Sequence, residues 1–240
     1  MGDLMPKIAG FNKLTLLDYP GKLACVLFTK GCNFGCRYCQ NSSLVLDVEV
    51  PLIDHNEIFA YLEKRKNILQ GVVISGGEPT IQKGLLDFII KIKEIGYKVK
   101  LDTNGSNPKL LQELIELKLV DYVAMDIKNV FEKYNQTANA KVNIDNVKKS
   151  IDILKKGKVD YEFRTTIIKE YHTLEDIRKL IDFTQGSKYY LQNFEDRDTV
   201  IKSGLTSFTV EDLNLLYSYK ESYDHFEIRG YTEKGGRKNV

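Results

Sequence analysis

The chain has 240 residues, 42% of them hydrophobic, and a formal net charge of only +2. That length suits one large α/β domain or two small ones, and so small a net charge supplies no basic field for nucleic acid. No run of eighteen apolar residues marks a membrane span. The opening MGDLMPKIAG lacks the charged-then-apolar order of a secretory signal, so a cytoplasmic protein is expected.

Residues 1–23 carry the turn Asp18-Tyr19-Pro20-Gly21 and predict an antiparallel hairpin. Short apolar runs then recur along the chain: Ala24 to Thr29, Gly71 to Ser75, Tyr97 to Leu101, Tyr122 to Ile127, Tyr161 to Ile168 and Lys188 to Asn193. Their length and β-branched or aromatic content predict buried strands. A last short strand is expected from His225 to Arg229.

Between the runs the period changes to that of helices. Leu85, Phe88 or Ile89, Ile92 and Ile95 share one face, as do Ile144, Val147, Ile151 and Leu154, and Leu174, Ile177 and Ile181. Start signals agree: Asp54 lies three before Glu57, Asn107 precedes Pro108, and Thr173 lies three before Asp176. Strands alternating with helices predict parallel pairing. The expected fold is a partial (β/α)6 barrel with an N-terminal hairpin and a short C-terminal strand; a doubly wound open sheet is the alternative. Residues 24–230 would form the barrel, and the basic tail 231–240 would be mobile.

In such architectures chemistry sits at the carboxyl ends of the strands. Polar groups gather there. The first strand ends at Cys32, Cys36 and Cys39, the second at Gly76-Gly77-Glu78-Pro79, the third at Asp102-Thr103-Asn104-Gly105, the fourth at Asp126-Ile127-Lys128. Arg164 lies within the fifth and Gln192 near the end of the sixth.

The cysteines are the most specific of these. The chain has four, and three share the string GCNFGCRYCQN. Thiolates so grouped hold soft metals or iron–sulfur clusters. A structural zinc site wants four ligands, and the one spare thiol, Cys25, falls inside the first strand as core packing. A four-iron cluster held by three cysteines keeps one iron free. Gly31 and Gly35 would let the loop backbone approach a large ligand.

Cys-x3-Cys-x-aromatic-Cys, with Tyr38 as the aromatic, resembles the signature loop of radical S-adenosylmethionine (SAM) enzymes. The resemblance implies a [4Fe–4S] cluster on Cys32, Cys36 and Cys39 whose free iron chelates SAM. It also implies a 5′-deoxyadenosyl radical that abstracts hydrogen. Gly76-Gly77-Glu78-Pro79 is similar to the SAM-binding element of that family, where glycine carbonyls would face the SAM amino group. Asp102-Thr103-Asn104-Gly105 resembles its glycyl-radical-enzyme activating branch. By that likeness Asp102 and Asp126, with carbonyls such as those of Thr103 and Ala124, are candidate ligands of a monovalent cation. Lys128 would pair with the SAM carboxylate, Arg164 would touch SAM or a neighbouring carboxylate, and Gln192 would lie near the ribose.

Ile8-Ala9-Gly10-Phe11, then Asp18-Tyr19-Pro20-Gly21-Lys22, then Asn41 resemble the longer activating proteins of anaerobic ribonucleoside-triphosphate reductases; the ending Phe226-Glu227-Ile228-Arg229-Gly230 is compatible. After Cys39 there is no further cysteine, so a single cluster is expected. The implied partners are a large glycyl radical enzyme and a flavodoxin-like electron donor. The alternatives are a pyruvate-formate-lyase-type activator, a small-molecule radical SAM enzyme such as a deazapurine synthase, or a non-catalytic electron-transfer protein. His55, His172 and His225 lack ligand spacing and read as unremarkable. The polar stretch from Asn129 to Val142 reads as a rim loop suited to partner docking.

Overall fold

A computed structural model describes residues 5–46 and 48–229. The strands are β1 (Ile8–Thr15), β2 (Ala24–Thr29), β3 (Gly71–Gly76), β4 (Lys98–Thr103), β5 (Tyr122–Asp126), β6 (Asp160–Ile167), β7 (Tyr189–Asn193) and β8 (Phe226–Arg229). The helices are α1 (Ser42–Val45), α2 (His55–Arg65), α3 (Leu85–Ile95), α4 (Pro108–Glu116), α5 (Tyr134–Ala138), α6 (Ile144–Lys155), α7 (Leu174–Phe183) and α8 (Val210–Ser218). The sheet runs in chain order from β1 to β8. β1 is antiparallel to β2, while β2–β3, β3–β4, β6–β7 and β7–β8 are parallel. This is the expected α/β class, a partial barrel preceded by a hairpin. The expected tail 231–240 lies outside the described residues. Among the described residues no helix is long and apolar enough to cross a membrane.

Local chemistry explains the boundaries. Asp54, Asn107 and Thr173 each accept a backbone N–H at a helix start, and Thr173 with Asp176 completes a capping box. β4 runs on through Asp102 and Thr103, two residues beyond its apolar stretch. The Ser75 hydroxyl of β3 donates to Asp102 Oδ2 at 2.9 Å, so a cross-strand polar pair continues the ladder where apolar residues stop. The stretch from Asn129 to Val142 is not a loop. It holds a 3-10 turn, Phe131–Lys133, and α5. Buried Tyr134, Thr137 and Ala138 anchor it at helical spacing, but over only five residues, too short a run to stand out in the sequence.

Contacts divide the chain into two units. One comprises Met1–Asn33, Asn41–Ala124 and Asp145–Asp160; the other Phe34–Gln40, Met125–Ile144 and Tyr161–Val240.

In the first unit a cluster of Tyr19, Ala24, Val26, Val73 and Tyr122 is buried, with Phe28 against it. The turn that closes the hairpin supplies Tyr19, whose ring stands 6.1 Å from Tyr122. The buried Lys100 ammonium donates to the Asp18 carbonyl. It also lies 5.7 Å over the Tyr122 ring and 3.5 Å from Asp102 Oδ1. In the second unit Phe163, Tyr189, Phe194 and Phe226 are all but fully buried. The Tyr189 hydroxyl donates to Thr165, which donates to the Ile127 carbonyl.

Gly71 leaves room for the hairpin turn. A Cβ there would fall 2.8 Å from the Tyr19 ring and 3.2 Å from the Lys98 carbonyl. Gly71→Ala should therefore cost about 1–3 kcal/mol through overpacking. The cost should shrink in a Tyr19→Leu background, and a double-mutant cycle by denaturant unfolding reads the coupling.

Candidate functional site

The first unit holds Cys32 and the ends of β3 and β4. Gly77 N–H donates to the Thr29 carbonyl and Glu78 N–H to the Gly31 carbonyl, both at 2.9 Å. A Cβ on Gly77 would fall 1.9 Å from Gly31 oxygen. Only glycine fits, because the start of the cysteine loop lies directly against it. The Gly76 carbonyl accepts from Asn41 Nδ2 at 3.1 Å, so one of its lone pairs is already engaged.

Glu78 is 1% exposed. Its Oε1 accepts from Thr80 N–H, the Thr80 hydroxyl and the Thr103 hydroxyl, and its Oε2 accepts from Asn104 N–H at 2.6 Å. Burial pushes its carboxyl above the usual range in spite of these donors. Glu78 thus fastens two strand ends together. Asn104 is held by that bond, and its side-chain Nδ2 lies 2.9 Å from Asn33 Oδ1 and 4.0 Å from Cys32 Sγ. Asp102, on the same strand, accepts from Ser75 and stands near Lys100.

The second unit holds Cys36, Tyr38, Cys39, Asp126, Lys128, Arg164 and Gln192. Arg164 Nε donates to Asp126 Oδ1 at 2.9 Å, and Lys128 Nζ to Oδ2 at 3.0 Å. The charge expected to need a partner on β6 has one. Burial opposes the Asp126 charge, but Arg164 and Lys128 outweigh it and hold the carboxyl well below the usual carboxylate range. Burial likewise opposes the Lys128 charge, and Asp126 overcomes it, so the ammonium stays protonated. Gln192 is half-buried on β7, in register with Thr166 and Arg229.

The cysteine loop is clamped from behind by the stretch that looked like a rim loop. Gly35 N–H donates to the Ala138 carbonyl at 2.9 Å, Cys36 Sγ lies 3.7 Å from the same oxygen, and Asn139 Nδ2 donates to the Gly35 carbonyl at 3.1 Å. Asn139 ends α5 with a φ of 47°, a left-handed conformation that asparagine tolerates better than most residues. Farther along, the Cys39 and Arg37 carbonyls accept from Ile201 and Lys202 N–H. Tyr38 is 5% exposed and its ring packs 6.0 Å from Tyr171. Its buried hydroxyl makes no well-formed hydrogen bond. Burial, then the neighbouring Cys36 sulfur, push its pKa well above the ordinary tyrosine value.

His172 and Asn129 were not legible as site residues. His172 is 2% exposed; its Nε2 donates to the Lys128 carbonyl at 2.9 Å while Nδ1 accepts from Ile168 N–H at 3.3 Å. Asn129, fully buried, donates to Thr137 and to the Tyr171 carbonyl. Together they fix the backbone that carries Lys128. The local signal was the proximity of Asn129 to Asp126 and Lys128; nothing in sequence ties His172 to them.

The donor set fits an iron–sulfur cluster. Cys36 is buried and Cys32 and Cys39 are half-buried, and none of the three is in a disulfide. Among the described residues no three His, Cys, Asp or Glu side chains converge to hold a single ion; a cluster spreads its cysteine ligands over separate irons. By contrast Cys25 is fully buried on β2, where burial pushes its thiol up to about 12, as core packing requires.

Comparisons with known proteins agree. The model of the radical SAM superfamily matches residues 26–184. A Methanocaldococcus jannaschii protein, MJ1227, assigned provisionally as a glycyl-radical enzyme activating enzyme, is 37% identical over 80% of this chain and 81% of its own. The pyruvate formate-lyase-activating enzyme of Staphylococcus aureus is 29% identical over 95% of this chain and 81% of its own. Streptococcus suis SuiB bound to S-adenosylmethionine shares the fold with a TM-score of 0.65 and 18% identity. That match covers 82% of this chain and 48% of SuiB, so the chain spans about half the length of that protein.

Two outcomes follow from the second unit. Asp126→Ala strands two cations and should cost about 3 kcal/mol, the low end for a broken buried pair, since 29% of the Asp126 side chain is exposed; urea unfolding measures it. Burial also lowers the pKa of His172. The unfolded chain then binds more protons below the ordinary histidine value of about 6.5. Stability should be full above that value and fall as pH drops below it, and His172→Gln should show a smaller loss between pH 7.5 and 5.5.

Proposed function

Because the chain belongs to the radical SAM superfamily, we propose that it is a glycyl-radical-enzyme activase, working on one glycine of a large partner enzyme. The observation that carries this reading is the three-cysteine loop following β2, together with an activating enzyme among the relatives. Cys32, Cys36 and Cys39 would hold a [4Fe–4S] cluster. When bound, the cluster and SAM supply one-electron cleavage of the sulfonium and a radical that abstracts hydrogen.

The remaining roles belong to this chain's own groups. Gly76 and Gly77 give SAM a close backbone approach beside the cysteine loop. Glu78 holds Thr103 and Asn104 in place on the neighbouring strand end. Arg164 and Lys128 both reach the Asp126 carboxylate. Lys128 would pair with the carboxylate of SAM. Tyr38 fills the loop interior behind Cys36, and Gln192 supplies an amide for the ribose. Asp102 and Asp126 are the candidate carboxylates for a monovalent cation, a hard ion that oxygen ligands suit.

A glycine is a suitable target, because no side chain blocks its Cα. Anaerobic ribonucleoside-triphosphate reductase is the first partner to offer, on the resemblance of the hairpin and its Asp18-Tyr19-Pro20-Gly21 turn. Pyruvate formate-lyase is the second, favoured by the Staphylococcus aureus relative. A flavodoxin-like protein would supply the electron.

The test is anaerobic. Protein reconstituted with iron and sulfide, photoreduced and given SAM should release 5′-deoxyadenosine and show a cluster resonance that SAM perturbs; a cluster indifferent to SAM sinks the enzyme reading. Adding each partner in turn should produce a glycyl radical signal with one of them. Lys128→Met should keep full iron content while weakening SAM binding about tenfold, near 1.4 kcal/mol.

A further inference from the structure

The first unit carries a groove outside the cysteine loop. Its volume is about 560 Å³, and its lining includes Asn107, Lys109, Asn146, Lys149, Asp152 and Lys156. The three lysines and Asp152 are exposed. Among the described residues none of the three lysines is in an ion pair. The groove therefore presents three positive charges against one negative charge, on a chain whose overall charge is close to neutral.

This groove is joined to Cys32 by a short polar path. Asn146 Nδ2, in the groove wall, donates to the Ser106 carbonyl at 3.1 Å. The Ser106 hydroxyl accepts from Asn33 Nδ2 at 2.9 Å, and Asn33 is covalently next to Cys32. A second branch runs from Ser106 N–H to Asn104 Oδ1 at 3.0 Å, with Asn104 Nδ2 4.0 Å from Cys32 Sγ. Two hydrogen bonds thus separate the groove wall from the residue beside a cluster ligand.

We propose that this lysine groove is the docking surface for an acidic one-electron donor protein. The inference rests on the activase reading, which requires an external electron. The donor's reduced flavin loses one electron, the iron–sulfur group gains it, and the transfer makes or breaks no bond. Encounters of this kind are small and transient, and steering by a few charges suits them better than a broad apolar contact. Three lysines interrupted by Asp152 are too sparse to follow a phosphate backbone, and the lining has no aromatic side chain on which a base could stack.

The probe is a reduced flavodoxin of net negative charge, titrated into the chain and used to drive 5′-deoxyadenosine formation. A neutral deazaflavin photoreductant serves as the control, since it needs no docking. The charge-reversed variant K109E/K149E/K156E should bind flavodoxin at least about tenfold more weakly at low salt, lose the salt dependence of binding, and slow the flavodoxin-driven reaction to match. The neutralised variant K109Q/K149Q/K156Q should fall between it and the parent. With the photoreductant all three should form 5′-deoxyadenosine at the same rate.

Unchanged flavodoxin binding in the charge-reversed variant would overturn the proposal. So would a loss of glycyl radical on the partner enzyme under photoreduction, which would assign the groove to that enzyme instead. Absence of 5′-deoxyadenosine from the parent protein with the photoreductant would overturn the activase reading itself. The binding titration, done without SAM, judges the groove separately.

Discussion

One buried carboxylate organises the strand ends of the first unit. Glu78 collects four donors from Thr80, Thr103 and Asn104, and so joins the end of β3 to the end of β4. A buried carboxylate is costly unless its lone pairs are filled, and here the filling is what fixes the geometry. The Asn104 amide is aimed at Cys32, and the glycine pair just before Glu78 is left flush against Gly31. Loosen Glu78 and both strand ends lose their registration with the cysteine loop.

The second unit rests on a different principle. Asp126 is stabilised as an anion by two cations, with Lys128 held from below through its own carbonyl by His172. Support for the cysteine loop comes from α5 and its left-handed terminus at Asn139, which bonds Gly35 on both its N–H side, through Ala138, and its carbonyl. Lys128 and the cysteine loop are thus backed by residues not themselves expected to touch ligands. Such backing is what keeps a site within a few tenths of an ångström of a productive geometry.

The sequence was most legible where chemistry and period coincide. Strand ends could be read because apolar runs stop abruptly at Cys32, Gly76 and Asp126. Arg164 on an apolar strand had to have a partner, and Asp126 answers to it. Cys25, placed mid-strand, could be set aside as core. What escaped was fixed by tertiary contact alone. His172 lies 44 residues from the Lys128 whose carbonyl it caps. The stretch from Asn129 to Val142 is too short and polar to announce α5 by periodicity. Lys100, alternating with Asp102 along β4, reads as an ordinary polar position until the Asp18 carbonyl is brought to it.

That lysine sets a limit on how the molecule can vary. Its ammonium is buried and committed to a backbone oxygen of the hairpin turn, while Tyr19, the next residue, occupies the space left open by Gly71. The tip of the hairpin between Asp18 and Lys22 is therefore measured from both ends. Leu14, Leu16 and Leu17 just before it are exposed, so substitutions there would leave the interior undisturbed. An insertion one position later would lift an aromatic ring out of its slot and leave a charge buried without its carbonyl. Length variation among homologous chains should accordingly stop short of this turn and resume only beyond it.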